Sequence, residues 1–307
     1  MHWARVPEAT FEPGIRVLLG LHAAFGRRVF RLALWPVVAW YALGRAAERS
    51  ASADYLRRLA AAGCAPAPRP GLLGALRHFH AFAEGLLDKL LVWHGRLGEL
   101  PYDIDGAEVF APALAAGRGA VIVTAHVGNF ELCQVLAARY TPVRINVLMH
   151  TANTARFNAL LGRRRLADRL CLIPVDGISA ATAALLAQRV DAGELVAIAG
   201  DRLLAGGAAE SLPTPFLGAP AAFPIGPYVL AAALQCPLIA VFATRRGERY
   251  RIRVAALAER VVLPRRGRRE AVRPLLKRFA ALLEAECRAA PLQWFNFYPF
   301  WAPPRER

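Results

Sequence analysis

Residues 119–138 read GAVIVTAHVGNFELCQVLAA. The run 119–125 is apolar and has the length of a buried strand. It ends at His126. Gly128 then supplies a sharp bend, Asn129 is a good helix N-cap, and Glu131 opens a helical pattern. A strand that turns directly into a helix is the building unit of an α/β sheet. In open sheets of that kind, ligands bind beyond the carboxyl ends of the strands, where His126 stands. Glu131 follows five positions later. Five residues of regular helix turn through about 500°, so the two side chains would not share a helix face. They meet only if His126 lies in the turn and Glu131 in the first helical turn. The carboxylate then folds back onto the imidazole, fixes its tautomer and stabilises imidazolium, as the acid of a hydrolytic triad does. His126 becomes a general base for a hydroxyl or amine. The alternative is a capping glutamate beside an incidental histidine.

The pattern around this stretch repeats it. Apolar strand candidates occupy 119–125, 144–149, 170–175, 194–199 and 236–243, with helix-like segments at 130–139, 153–168, 178–192 and 222–235. That alternation predicts an α/β fold with a largely parallel or mixed sheet flanked by helices. Residues 46–100 are helical in pattern, interrupted by the loop GCAPAPRPG at 63–71. A basic run, PRRGRRE at 264–270, precedes an amphipathic helix reaching about Arg288. No internal repeat or flexible linker divides the chain. The expected division is an N-terminal membrane-associated helical segment, 1–45, followed by one catalytic domain, 46–307.

The N-terminal assignment rests on residues 15–45. Their longest uncharged stretch, Leu32 to Gly44, is too short to span a bilayer, which takes about 20 residues. Arg27, Arg28 and Arg31 are interleaved with Phe30, Leu32, Leu34 and Trp35, a mixture suited to the membrane interface. A buried helical hairpin is the alternative. Lys and Arg outnumber Asp and Glu by 39 to 23, a formal net charge of +16. Such an excess favours acidic partners: nucleic acid, anionic headgroups or an acidic carrier protein. Arg- and Ala-rich composition also arises from GC-rich coding sequence. No nucleic-acid-binding motif accompanies the charge, so no nucleic-acid partner is expected.

Other chemistries find little support. The five cysteines are scattered without a CxxC pair, and His78 and His80 lack an HExxH context, so no metal site is expected. No GxGxxG follows a strand, which argues against a dinucleotide cofactor. GISAA at 177–181 approaches a nucleophile elbow, but every histidine lies at or before His150, the wrong order for a Ser-Asp-His hydrolase. Ser179 reads instead as a helix N-terminal residue.

HVGNFE, 126–131, resembles the His-x4-Asp/Glu motif of the lysophospholipid acyltransferase superfamily, in the form found in the lipid A late acyltransferases. VDAGELVAIAGDRL (190–203), TPFLGAPAAFPIGPYVLAAALQCPLIAVF (214–242) and PLQWFNFYPFW (291–301) are similar, in order, to later segments of that family. The resemblance implies a glycerol-phosphate acyltransferase-like fold and no cofactor. It implies an acyl donor on acyl carrier protein or coenzyme A, and a membrane lipid acceptor such as a lipid A precursor. With the segment 15–45 as anchor, the enzyme is expected at the cytoplasmic face of the inner membrane. His126, held by Glu131, would deprotonate the acceptor hydroxyl for direct attack on the thioester. Amides near Gly128 and Asn129 would stabilise the oxyanion. Arg156, Asp201 and Arg202, all near strand ends, are candidate substrate contacts. One departure stands out: Tyr298-Pro299-Phe300-Trp301 lacks the basic residues that lipid A enzymes tend to carry there, which leaves the acceptor open.

Overall fold

The structure is a computed structural model describing residues 12–64, 68–93, 96, 98, 100–134, 143–149, 170–174, 179–203 and 210–302. Arg156 and the helix expected over 153–168 lie outside these residues.

Nine strands are described: β1 (Tyr102–Asp105), β2 (Val121–Thr124), β3 (Ile145–Met149), β4 (Leu170–Pro174), β5 (Leu195–Ala199), β6 (Ser211–Phe216), β7 (Ala219–Pro224), β8 (Leu238–Arg246) and β9 (Arg249–Ala258). Seven form one mixed sheet in the order β1-β9-β8-β2-β5-β3-β4. Only the β8–β9 pair is antiparallel; every other pair in that sheet is parallel. β2 lies centrally, with Val121 opposite Val196 on one side and Leu238 on the other. All four of its residues are buried, which is why it reads as an unbroken apolar run.

The five strands expected from the sequence all form. The remaining four were hidden for identifiable reasons. β1 is a short, polar edge strand, YDID. β9 alternates arginines with apolar residues and keeps one face wet. The segment 222–235 is corrected: its helix begins only at Gly226, because 219–224 pair with 211–216 as a separate hairpin. Leu217 and Gly218 both have positive φ, as a tight hairpin turn demands, and four prolines fit a two-stranded ribbon with free edges.

Helices cover both sheet faces. Along β2, Val121 and Val123 join one apolar cluster and Ile122 the other, as strand alternation requires. On the first face lie Tyr55, Leu56 and Leu59 of α2 (Ala46–Ala61) and Leu276, Phe279 and Leu283 of the helix Arg268–Ala289. On the second lie Phe30 and Leu34 of α1 (Glu12–Leu43) and Leu87 and Leu91 of α3 (Leu72–Trp93).

α1 is broken at Gly26, where φ is 74° and ψ −175°. Beyond the break, Phe30, Leu34, Val38 and Ala42 recur every fourth residue and are buried. Leu32, Trp40 and Leu43 on the same helix are 70%, 80% and 77% exposed. No helix among the described residues is long and apolar enough to cross a membrane.

Candidate active site

β2 ends at Thr124, and the chain enters the turn with His126. Val127 bridges Trp294, and Gly128 bridges Ala243 on β8. Gly128 has φ +66°, and a Cβ built there would lie 1.8 Å from the Ala243 carbonyl oxygen. Only glycine permits this approach. Asn129 then caps the helical turn that starts at Phe130, its Oδ1 accepting from the Leu132 amide at 3.2 Å.

The carboxylate that meets His126 comes from the neighbouring strand. Asp201 lies just past β5 and is fully buried. Its Oδ1 is 2.7 Å from His126 Nδ1. Its Oδ2 accepts from the His126 amide at 2.9 Å, Trp294 Nε1 at 3.0 Å and Asn296 Nδ2 at 2.9 Å. Four hydrogen bonds thus hold one buried carboxylate in a single orientation. Burial opposes its charge, but the His126 partner, its hydrogen bonds and Arg202 together outweigh that and keep the Asp201 pKa below the ordinary carboxylate value. The His126 pKa is lowered, first by burial and then by the Arg202 charge; Asp201 opposes, and Lys89 adds to the lowering. A third of the imidazole side chain stays open to solvent. No described residue hydrogen-bonds Nε2, so the neutral ring keeps an accessible lone pair. This is a base held by an acid, ready to accept a proton.

The expected partners of Glu131 and of the turn amides change here. Glu131 does lie in the first helical turn, but its Oε1 pairs with Lys89 Nζ at 2.7 Å, and the acid on the imidazole is Asp201. The amides of Gly128 and Asn129 donate within the protein, to Gln293 O and Ala243 O, both at 2.8 Å. Arg202 is bound to the C-terminal segment, with Nε 2.8 Å from Asn296 Oδ1 and Nη2 3.0 Å from Phe295 O. Ser179 is a helix cap, its Oγ accepting from the Thr182 amide.

The C-terminal aromatic segment packs against the site and supplies two of the donors to Asp201. Trp294 is wholly buried among Tyr55, Phe216 and Phe300. His78 is fully buried, and burial pushes its pKa down to about 3, so the ring is neutral: Nε2 donates to the Trp294 carbonyl at 3.0 Å and Nδ1 accepts from the Ser52 hydroxyl at 2.9 Å. Gln293 clasps β8 through both amide atoms on Arg245. Sequence reading missed Trp294 and Asn296 as partners of Asp201. Only the folding back of the tail, over 90 positions along the chain, brings them together. Among the described residues no group of His, Cys, Asp and Glu is placed to hold a metal ion.

A comparison with curated proteins finds none that matches. A family model described as bacterial lipid A biosynthesis acyltransferase matches residues 92–302, a span that holds β1 to β9, His126, Asp201 and the C-terminal segment. The chain therefore belongs to the bacterial lipid A biosynthesis acyltransferase family.

Proposed function

We propose that the protein transfers a fatty acyl group from a thioester, on acyl carrier protein or coenzyme A, to a hydroxyl of a lipid acceptor such as a lipid A precursor. The observation that carries this reading is the buried Asp201 carboxylate on His126 Nδ1, with Nε2 unengaged by any described residue and the His126 side chain one-third exposed. Nε2 takes the hydroxyl proton as the oxygen attacks the thioester carbonyl. The tetrahedral oxyanion collapses, the carbon–sulfur bond breaks, and the imidazolium returns its proton to the leaving thiolate. Asp201, ionised throughout, stabilises the imidazolium between those two transfers.

The acceptor is bilayer-bound, and the protein works at the cytoplasmic face of the inner membrane. Support comes from α1, whose exposed Phe25, Leu32, Trp40 and Leu43 form an apolar rim. Beside it a cavity of about 510 Å³ is lined by Arg28, Arg31, Arg77, Leu32, Trp35 and Leu292 among others. Arg31 is paired with Glu84, also in the lining, at 2.9 Å, so Arg28 and Arg77 beside Leu32, Trp35 and Leu292 are the guanidinium groups suited to an anionic lipid headgroup.

The test is thiol release with purified full-length protein, an acyl thioester and a lipid acceptor, with the product read by mass spectrometry. His126→Ala should lower turnover by at least about 100-fold without changing the melting temperature. Ser179→Ala should be nearly silent. A His126→Ala protein with most of its activity would refute the mechanism.

A further inference from the structure

The oxyanion of acyl transfer needs donors aimed at it. The two amides of the tight turn are spent on Gln293 and Ala243. Arg202 is engaged by Asn296 and the Phe295 carbonyl. Among the described residues one further cation bears on His126: Lys89, on α3 at the second face of the sheet. Its ammonium carries three N–H groups. One goes to Glu131 at 2.7 Å, in a partly buried pair with side chains 22% and 16% exposed. Its neighbour Asp88 is occupied elsewhere, by Arg27 at 2.5 Å and the Tyr250 hydroxyl at 2.6 Å. Composition makes the position unusual. Of 39 basic residues, only Lys89 and Lys277 are lysine. A compact ammonium with rotatable donors suits a single developing oxyanion better than a planar guanidinium fork does.

We propose that Lys89 is a catalytic residue, its ammonium stabilising the oxyanion of the tetrahedral intermediate, and that Glu131 is a positioning residue for Lys89. This rests on the acyl-transfer reading above. The two signature residues of 126–131 then serve different partners. His126 is tuned by Asp201 from β5, and Glu131 delivers a cation from α3. The ammonium approaches the thioester oxygen as negative charge develops there and is released to Glu131 when the carbonyl re-forms.

The experiment compares Lys89→Met, Glu131→Gln, the double variant and Lys89→Arg in the thiol-release assay. Removing one oxyanion donor typically costs about 10²–10³ in kcat. Lys89→Met should show that loss with little change in KM for the thioester, and Lys89→Arg should recover part of it. Because Glu131 acts only through Lys89, the double variant should be no slower than Lys89→Met; multiplied effects would overturn the role given to Glu131. The double variant leaves no unpaired charge, so it remains informative if Lys89→Met folds poorly. The pH profile supplies a readout that a structural role would not move. The charges bearing on His126 are Asp201, Arg202, Lys89 and, through Lys89, Glu131. Losing the Lys89 charge should move the acid limb of kcat/KM to higher pH. Unchanged kcat in Lys89→Met, or a rise in KM alone, would overturn the proposal. If His126→Ala is inactive while Lys89→Met is fully active, this inference fails alone; if His126→Ala is active, the acyl-transfer reading fails with it.

Discussion

At the scale of single residues, the deciding contact is 2.7 Å between His126 Nδ1 and Asp201 Oδ1. It assigns the imidazole its tautomer: the proton sits on Nδ1, facing the acid, and Nε2 is the base. Because burial and Arg202 lower the His126 pKa from its ordinary value near 6.5, the ring is neutral at pH 7. A general base works only when neutral, so activity is lost as pH falls through that lowered pKa. The acid limb of kcat/KM should therefore have its midpoint below pH 6.5. Asp201→Asn removes the group that raises the His126 pKa, so its acid limb should move lower still while its plateau falls about 10²–10⁴-fold. A midpoint above 6.5 in the unaltered enzyme, or a plateau unchanged in Asp201→Asn, would contradict this assignment. His126 itself was legible in the sequence because a strand end, a glycine turn and a cap are local signals. The partner acid was not. Glu131 lay close along the chain, whereas Asp201, 75 positions away, is close only because β5 hydrogen-bonds β2.

At the scale of elements, the turn 126–129 and the helix α1 make separate demands. Gly128→Ala would place a side chain at φ +66° and against the Ala243 carbonyl. The left-handed conformation alone costs about 1–2 kcal/mol, and the clash adds to it. Thermal melting should fall by several degrees and activity with it; a variant melting like the parent would mean that the turn is not held as described. α1 presents a harder sequence problem. Its interleaved arginines and aromatics suit a membrane interface, with a buried hairpin as the alternative, and the structure divides them: Phe30 packs into the core and Arg27 pairs with buried Asp88. Periodicity marks both stripes as apolar and cannot say which one meets protein. Since α1 contributes to the core, deleting it would injure the fold. Substitution of the exposed stripe is the cleaner test. Leu32→Ser, Trp40→Ser and Leu43→Ser together should release the protein from anionic vesicles at unchanged melting temperature. Retention of binding in sedimentation would place the membrane contact elsewhere. The parallel strands were legible as apolar runs, whereas the hairpin β6–β7 was obscured by prolines that usually argue against strands.

At the scale of the whole molecule, the excess of positive charge has to be divided between internal and external uses. Part of it is internal. Arg27 and Arg245 bear on Asp88, and Arg246 and Arg253 on Glu286, both acids almost fully buried. Such pairs hold elements together and are screened little by salt. Another part faces outward: Arg265, Arg266 and Arg268 stand exposed where the last long helix begins, and Arg28 and Arg77 line the cavity beside α1. Exposed charge acts through long-range attraction, which falls off over about 10 Å at 0.1 M salt. If the donor arrives on an acidic carrier protein, these residues steer its approach, and the cost of screening appears in the encounter. Raising salt from about 50 to 300 mM should then increase KM for the acyl-carrier substrate several-fold and leave kcat nearly constant. A short neutral acyl thioester, which offers no acidic surface, should show little change over the same range. The paired measurement separates docking from chemistry, because both donors meet the same His126–Asp201 pair. Equal salt dependence for the two would remove carrier docking as the use of the outward charge and leave the lipid surface as its partner.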